Sequence, residues 1–295
     1  MTDDGLRIKG TGTAIVTPFR DGEVDLDGLG SLIEAQLAGG VDFLVPCGTT
    51  GESPTLTDPE RIAVIERTVD VVAGRVPVVA GTGTNDTPHS IAMTKAARGA
   101  GADACLAVSP YYNKPSQEGL FRHFRAMIDE GGLPAVLYHI PARCGIGIDI
   151  HTIARVCAEG GVVGLKETES IGRETPLRSA CDEPILSGDD GLTVPMICMG
   201  GVGVISVASN VAPAQVSSMV AHARAGEVAA ARRLHEALAP LYRALFVESN
   251  PAPVKAAARM LGLIATDDVR LPLTPAGAST RARLEAALSV VPTAA

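Results

Sequence analysis

Lys166 closes the apolar run Val162-Val163-Gly164-Leu165, and a lysine at the end of such a run is placed where an amine can meet a carbonyl. Of 25 Lys and Arg residues only five are lysines: Lys9, Lys95, Lys114, Lys166 and Lys255. Where arginine is so preferred, a lysine at a strand end marks a position that guanidinium cannot fill. Only the lysine amine can lose its proton and attack a carbonyl carbon. The plainer reading, a lysine that snorkels from a strand end into solvent, is weakened by its company. Three of the four tyrosines, Tyr111, Tyr112 and Tyr138, also follow or end apolar runs, and only Tyr242 lies elsewhere. A phenol beside such an amine can relay protons, and a threonine hydroxyl such as that of Thr49 can extend the relay. For Tyr111, packing with a wet hydroxyl is at least as good an account.

Other short motifs define what the site can hold. Gly48-Thr49-Thr50-Gly51-Glu52 offers close backbone approach, successive N–H groups and two hydroxyls, which together suit a carboxylate. Gly81-Thr82-Gly83 and Gly201-Val202-Gly203 do not complete a dinucleotide fingerprint. The six histidines show no paired ligand spacing, so neither a metal nor an organic cofactor is expected. Six cysteines are scattered without a CxxC pair and read as reduced thiols of a cytoplasmic protein; Cys47 and Cys144 lie beside motifs and are the ones whose reactivity is open.

These residues need a scaffold that brings strand ends together. Apolar, β-branched runs recur at Ala14-Thr17, Phe43-Val45, Pro77-Ala80, Ala104-Val108, Ala135-Tyr138, Val162-Leu165, Pro184-Leu186 and Gly203-Val207. Between them lie segments of helical period, such as Leu29, Leu32, Ile33 and Leu37, or Ile62, Val64, Ile65, Val69 and Val72. Asp58-Pro59-Glu60 reads as a helix start with Asp58 as the capping residue. Alternating strands and helices, eight times over, predict an α/β fold, a (β/α)8 TIM barrel over residues 1–224, whose chemistry sits at the C-terminal strand ends. From 225 to 295 the alternation stops and a C-terminal helical domain is predicted. Its helices are marked by Leu234, Leu238, Leu241 and Leu245 (broken or kinked at Pro240), by Val254-Leu263 and by Thr280-Leu288.

Composition narrows the partners. A formal charge of -8 with no clustered basic run argues against nucleic acid and anionic membrane. The acidic Met1-Thr2-Asp3-Asp4 start lacks the form of a secretory signal. Gly191 to Ala221 is free of charge, but Pro195, Gly200, Gly201, Gly203 and Pro213 punctuate it, so it reads as core and not as a membrane span.

Taken in order, the motifs resemble those of the dihydrodipicolinate synthase and N-acetylneuraminate lyase superfamily over nearly the full chain, from Thr13-Ala14-Ile15-Val16-Thr17-Pro18-Phe19 to Leu271-Pro272-Leu273-Thr274-Pro275. Gly48 to Ser53, Ser109 to Leu120, Tyr138 to Gly145, Gly164 to Glu167, Ser187 to Asp190, Gly203 to Val207 and Asn250 to Lys255 carry the resemblance to its synthase branch. The resemblance implies an imine between Lys166 and pyruvate, with Tyr138 as proton donor and acceptor. Thr49 would link Tyr138 to Tyr112, and Tyr112 would reach into the neighbouring subunit. Thr49 and Thr50 would hold the pyruvate carboxylate, Gly188 and Ile205 would line the pocket, and Arg143 would hold the carboxylate of L-aspartate 4-semialdehyde. A lyase of lysine and diaminopimelate biosynthesis yielding 4-hydroxy-tetrahydrodipicolinate is implied, built as a homotetramer that is a dimer of dimers. A sibling pyruvate-dependent aldolase acting on 2-keto-3-deoxy sugar acids or 4-hydroxy-2-oxoglutarate is the first alternative, and a non-catalytic keto-acid sensor the second. His139, Ala142 and the Glu167-Thr168-Glu169-Ser170 segment depart from the usual pattern. Ser53, Pro54, Asp58, Arg61, Asn85, His89 and Tyr111 match the regulatory lysine site of inhibited relatives, with Asp58, Arg61 and His89 changed in kind.

Overall fold

Crowding, more than apolar content, sets where the first strand lies. The computed structural model describes residues 6–292, so the Met1-Thr2-Asp3-Asp4 start is outside the described residues. The first strand, β1, is Gly10–Ala14 and shares only Ala14 with the expected Ala14-Thr17. A Cβ at Gly12 would come within 2.1 Å of the Phe43 ring, so this strand alternates glycine with the β-branched Thr11 and Thr13 and looks weakly apolar in sequence.

The remaining strands fall where expected: β2 Phe43–Val45, β3 Val79–Gly81, β4 Ala104–Val108, β5 Ala135–His139, β6 Val162–Glu167, β7 Ile185–Ser187 and β8 Gly203–Ser206. Sequence neighbours pair in parallel except β2 and β3, and β8 pairs back onto β1. A parallel bridge from Leu44 to Val78 brings β2 against the approach to β3. The helices are α1 Leu26–Ala38, α2 Asp58–Val72, α3 Thr87–Gly99, α4 Gln117–Gly131, α5 Ile150–Ala158, α6 Glu174–Ala180, α7 Thr193–Cys198 and α8 Pro213–Arg224. The sequence therefore specifies a (β/α)8 barrel, and the chargeless stretch after Gly191 becomes α7, β8 and α8. Among the described residues no helix is long and apolar enough to cross a membrane.

Side chains along each strand alternate between two apolar clusters. Val136 and Tyr138 join the barrel interior with Phe43, Val45, Leu106, Leu186 and Ile205, whereas Ala135 and Leu137 face the helices. The cap of α2 is one residue earlier than expected. Thr57 accepts from the Glu60 amide and Glu60 returns to the Thr57 amide, a reciprocal box that leaves Asp58 inside the helix with its carboxylate free for other partners.

Three tail helices follow: α9 Val228–Leu245, α10 Ala252–Met260 and α11 Ala278–Leu288. The expected break or kink at Pro240 gives no break, because α9 runs through it. One lost N–H is outweighed by a continuous buried face of Leu238, Leu241, Tyr242 and Leu245. These side chains, with Val254 and Leu284, join the same apolar cluster as the outer face of the barrel.

Candidate active site

Strand β6 is brought into phase by a bulge. Ala135 pairs with Val162 but Val136 pairs with Gly164, so Val163 is the extra residue. A bulge re-aims the side chains beyond it on its strand. From Gly164 on, the two strands match inward to inward: Tyr138 lies opposite Lys166, and His139 opposite Glu167 on the outer face. The Lys166 Nζ sits 4.1 Å from the centroid of the Tyr138 ring. A Cβ at Gly188 would come within 2.9 Å of Lys166 Cε, so the residue after β7 must be glycine for the lysine to keep its place.

Lys166 is 6% exposed, and burial pulls its amine down from the ordinary value of 10.5 to about 7. Asp190 pushes the other way and Arg143 adds to the depression. Asp190 is a weak counter-ion because its carboxylate is already committed to Ser206 Oγ and to the amides of Val207 and Ala208, each amide at 3.0 Å. An ordinary lysine at pH 7 has roughly one amine in a few thousand deprotonated, whereas this one is divided about evenly between its two forms. Burial likewise raises the Tyr138 phenol to about 12, with the Thr49 hydroxyl bonded to it and Arg143 opposing the rise. The phenol is a proton donor in this environment, next to an amine that can give up its own.

The loop after β2 brings in the two threonines, and the tail holds it. Asn250 donates to Thr50 Oγ1 at 2.9 Å, leaving the Thr50 proton free to be donated. Glu52 is in the left-handed region, φ +55°, and turns its carboxylate onto Lys255 at 2.6 Å and onto the Arg270 amide at 3.0 Å. Both members of the Glu52–Lys255 pair are fully buried. Arg270 also clamps Glu60 and the Thr55 carbonyl, and its guanidinium holds the Glu60 carboxyl at about 2. Asn250, Lys255 and Arg270 were not among the candidate site residues. The Asn250 to Lys255 motif was their visible signal, but nothing local to it says what it touches.

Outside the barrel mouth lies a crevice of about 330 Å³. Thr49, Tyr138 and Arg143 line one part of it, and Ser53, Pro54, Asp58, Arg61, Asn85, His89 and Tyr111 line the rest. The candidate catalytic and regulatory groups thus open onto one space. Asp58 faces His89 at 3.0 Å, and the buried Arg61 donates to the Gly81 carbonyl at 2.9 Å. Arg143 is exposed on the short helix Pro141–Cys144. Lys166 and Gly188 lie deeper, and Ile205 belongs to the barrel interior. Tyr112 is not brought to Thr49: it is 90% exposed, at φ +74°, and projects away from the chain that carries it. Burial pushes the Cys47 thiol up to about 12 and the Cys144 thiol to about 11, so neither is a nucleophile near neutrality.

On the outer face, directly behind Tyr138 and Lys166, His139 Nδ1 meets Glu167 at 2.9 Å, and Arg173 Nε donates to Glu167 at 2.9 Å. Burial pushes the Glu167 carboxyl up, but the bonds from His139, the Glu169 amide and Arg173 bring it below its ordinary value. His139, Glu167 and Glu169 place metal-type donors within 4.8 Å of one another, yet Arg173 already supplies a permanent cation to both carboxylates. His139 and Glu167 pair across the two strands at the step after Tyr138 and Lys166, so they hold that pair in register.

Comparison with known proteins gives a single answer. The model of the dihydrodipicolinate synthetase family matches residues 7–291. The 4-hydroxy-tetrahydrodipicolinate synthase of Syntrophus aciditrophicus is 47% identical over 280 residues, 94% of this chain and 96% of that one. The structure of the synthase from Methylacidiphilum fumariolicum superposes with a TM-score of 0.94 at 45% identity, covering 97% of this chain and 96% of that one. A chloride-inhibited dihydrodipicolinate synthase from Acinetobacter baumannii, solved with pyruvate, gives 0.93 at 41% identity, covering 96% and 99%. Fold, motif order and near-complete coverage agree, and the chain belongs to the dihydrodipicolinate synthetase family.

Proposed function

We propose that this chain condenses pyruvate with L-aspartate 4-semialdehyde to give 4-hydroxy-tetrahydrodipicolinate, through an imine on Lys166. The observation that carries the reading is a buried lysine poised near neutrality against a threonine-bonded tyrosine. Neutral Lys166 Nζ attacks C2 of pyruvate; water leaves, with its protons relayed by Tyr138. Loss of a methyl proton from the imine gives an enamine whose carbon attacks the semialdehyde aldehyde. Thr49 and Thr50 donate to the pyruvate carboxylate, and Arg143, exposed at the rim, receives the second carboxylate in a planar fork. Gly188 leaves room for the lysine stem and the Ile205 segment forms the floor.

Tyr112 is fully exposed and held in a left-handed conformation, which favours a role in a neighbour's relay. The working unit is then at least a dimer, and a dimer of dimers is the assembly this reading favours. A cytoplasmic place in lysine and diaminopimelate biosynthesis goes with the reaction. In the regulatory part of the crevice, Asp58 is engaged by His89 and Arg61 adds positive charge, so L-lysine binds poorly.

Aspartate semialdehyde, 2-keto-3-deoxy sugar acids and 4-hydroxy-2-oxoglutarate should be compared as substrates, with synthase product read through a coupled reductase. The proposal expects turnover with the semialdehyde at least about 10²-fold above the others in kcat/KM, about 2.7 kcal/mol of discrimination. Preference for an aldol substrate would move the assignment to the sibling reaction, and no turnover with imine formation intact would favour the sensor.

A further inference from the structure

The strand ladder between β7 and β8 stops short of the pocket. Leu186 pairs with Gly203 and Ser187 with Val204, so Gly188 and Ile205 lie one step beyond the last pair. Ile205 is still held on its other side, opposite Gly12 of β1. Toward β7 the connection is made by a side chain. Asp190, 2% exposed, opens the turn Asp190–Leu192 after β7. One of its carboxylate oxygens accepts from the amides of Val207 and Ala208, each at 3.0 Å, and the other accepts from Ser206 Oγ at the end of β8. Ser206 Oγ accepts in turn from the Ser209 amide at 2.9 Å. A neutral side-chain amide can make the same three bonds, with its oxygen toward the two backbone amides and its nitrogen toward Ser206 Oγ. The latch therefore needs no charge, yet it carries one, buried and bonded only to neutral donors. Lys166 is close by: Gly188, two residues before Asp190, lies so near it that an added Cβ would come within 2.9 Å of Lys166 Cε.

We propose that Asp190 is a positioning residue of the condensation: its carboxylate ties β7 to β8 where the ladder stops, and as a fixed anion it steadies the iminium formed on Lys166. This rests on the imine chemistry set out above. The imine nitrogen must carry a proton to draw electrons from the pyruvate methyl group. When a methyl proton leaves, its C–H pair becomes the C=C bond of the enamine and the C=N pair returns to nitrogen. A nearby anion favours the charged nitrogen, as Asp190 favours charged Lys166 before pyruvate binds. Arg143 opposes it there, with the Tyr138 ring alongside. Around Asp190 itself, burial and Asp189 favour its neutral form, its three bonds oppose them, and Tyr242 of α9 is the phenol within reach of its charge.

The test compares the parent with Asp190→Asn, which keeps the shape and the bonds, and with Asp190→Ala, which removes latch and charge together. Two measurements need only pyruvate: imine formation in excess borohydride across a pH series, and exchange of the pyruvate methyl protons in deuterated buffer, followed by NMR. In Asp190→Asn the pH midpoint of imine formation should fall below the parent's by about half a unit or more, while methyl exchange at pH 7 slows about tenfold. Imine formation at pH 7 should not slow, because more of the amine is free to attack; a merely structural loss would slow both steps. Asp190→Ala should add a rise of about tenfold in the KM for pyruvate, from the unlatched pocket wall. An unchanged midpoint or exchange rate in Asp190→Asn, equal slowing of both steps, or a KM in Asp190→Ala no higher than in Asp190→Asn would each overturn the proposal. No imine in the parent, or an imine away from Lys166, would overturn the underlying reading with it; an imine on Lys166 in the parent leaves the variants to decide the part given to Asp190 alone.

Discussion

Among the described residues two lysines are buried, and they have opposite company. Lys255, on α10, meets a buried carboxylate, Glu52, at 2.6 Å and the Phe19 ring at 4.0 Å. Lys166, at the end of β6, lies over the Tyr138 ring at 4.1 Å, with its nearest anion, Asp190, tied up by three other donors. Burial depresses both amines; Glu52 pulls Lys255 back toward its charged form by charge and by a direct hydrogen bond, whereas Asp190 acts on Lys166 by charge alone and Arg143 opposes it. Desolvation alone therefore does not make a nucleophile. Desolvation without a free carboxylate leaves an amine that can act as one, and the paired lysine becomes a strut that holds the loop after β2.

The largest expected effect separates the two roles. Lys166→Met should abolish imine formation and lower turnover at least about 10³-fold, about 4 kcal/mol of barrier. It should not destabilise the fold. Lys166 carries a folded value of about 7, below the ordinary 10.5, so the unfolded chain binds more protons between these limits. The stability of the parent relative to the variant should therefore rise with pH from about 7 to about 10.5, and the variant should be the more stable of the two at pH 6. A difference between parent and variant that stays flat over that range would contradict the depressed amine. Lys255→Met should do the reverse: about 3–5 kcal/mol less stability in urea unfolding, from the carboxylate left buried at Glu52, with the imine still forming at Lys166 in the folded fraction. A cost below about 1 kcal/mol would mean that the pair is no strut.

The two lysines also mark how far the sequence could be read. Lys166 stood out because strand order and residue type are local signals, and eight apolar runs were enough to place it at a barrel mouth. Its inward direction was not legible, since that depends on the bulge at Val163, and Gly164 was the only hint. Lys255 was passed over because its partner is 203 residues away in sequence. Strand β1 was misplaced because its glycines answer to Asp42 and the Phe43 ring on the neighbouring stretch of chain, which lies roughly 30 residues on. The cap at Thr57 was missed by one residue because Asp58 and Thr57 both have capping side chains, and only the returning Glu60 bond decides between them.

A smaller effect sharpens the contrast at Arg143, the cation that faces Lys166 where Lys255 has an anion. Arg143→Ala should lower kcat/KM for the semialdehyde about 10- to 100-fold, the loss of a charge-assisted bond worth about 1.5–3 kcal/mol. Pyruvate imine formation at pH 9 should be within about twofold of the parent. Its pH midpoint should move up, because Arg143 lowers the proton affinity of Lys166. Equal losses in both half-reactions would remove Arg143 from the second-substrate site. The smallest effect concerns a third amine. Free L-lysine needs a carboxylate in the crevice as Lys255 needs Glu52, and Asp58 is held by His89 at 3.0 Å. Titration with L-lysine should give little or no inhibition, and saturating inhibition below about 1 mM would show that Asp58 is available after all.

Borohydride reduction with pyruvate across a pH series, followed by peptide mass mapping, tests the central claim most directly. The account predicts one adduct, on the peptide that contains Lys166, with a rate that rises through a half-maximum near pH 7 as the buried amine loses its proton. An adduct on Lys255 or any other lysine, no adduct, or a half-maximum near the ordinary lysine value of 10.5 would contradict it.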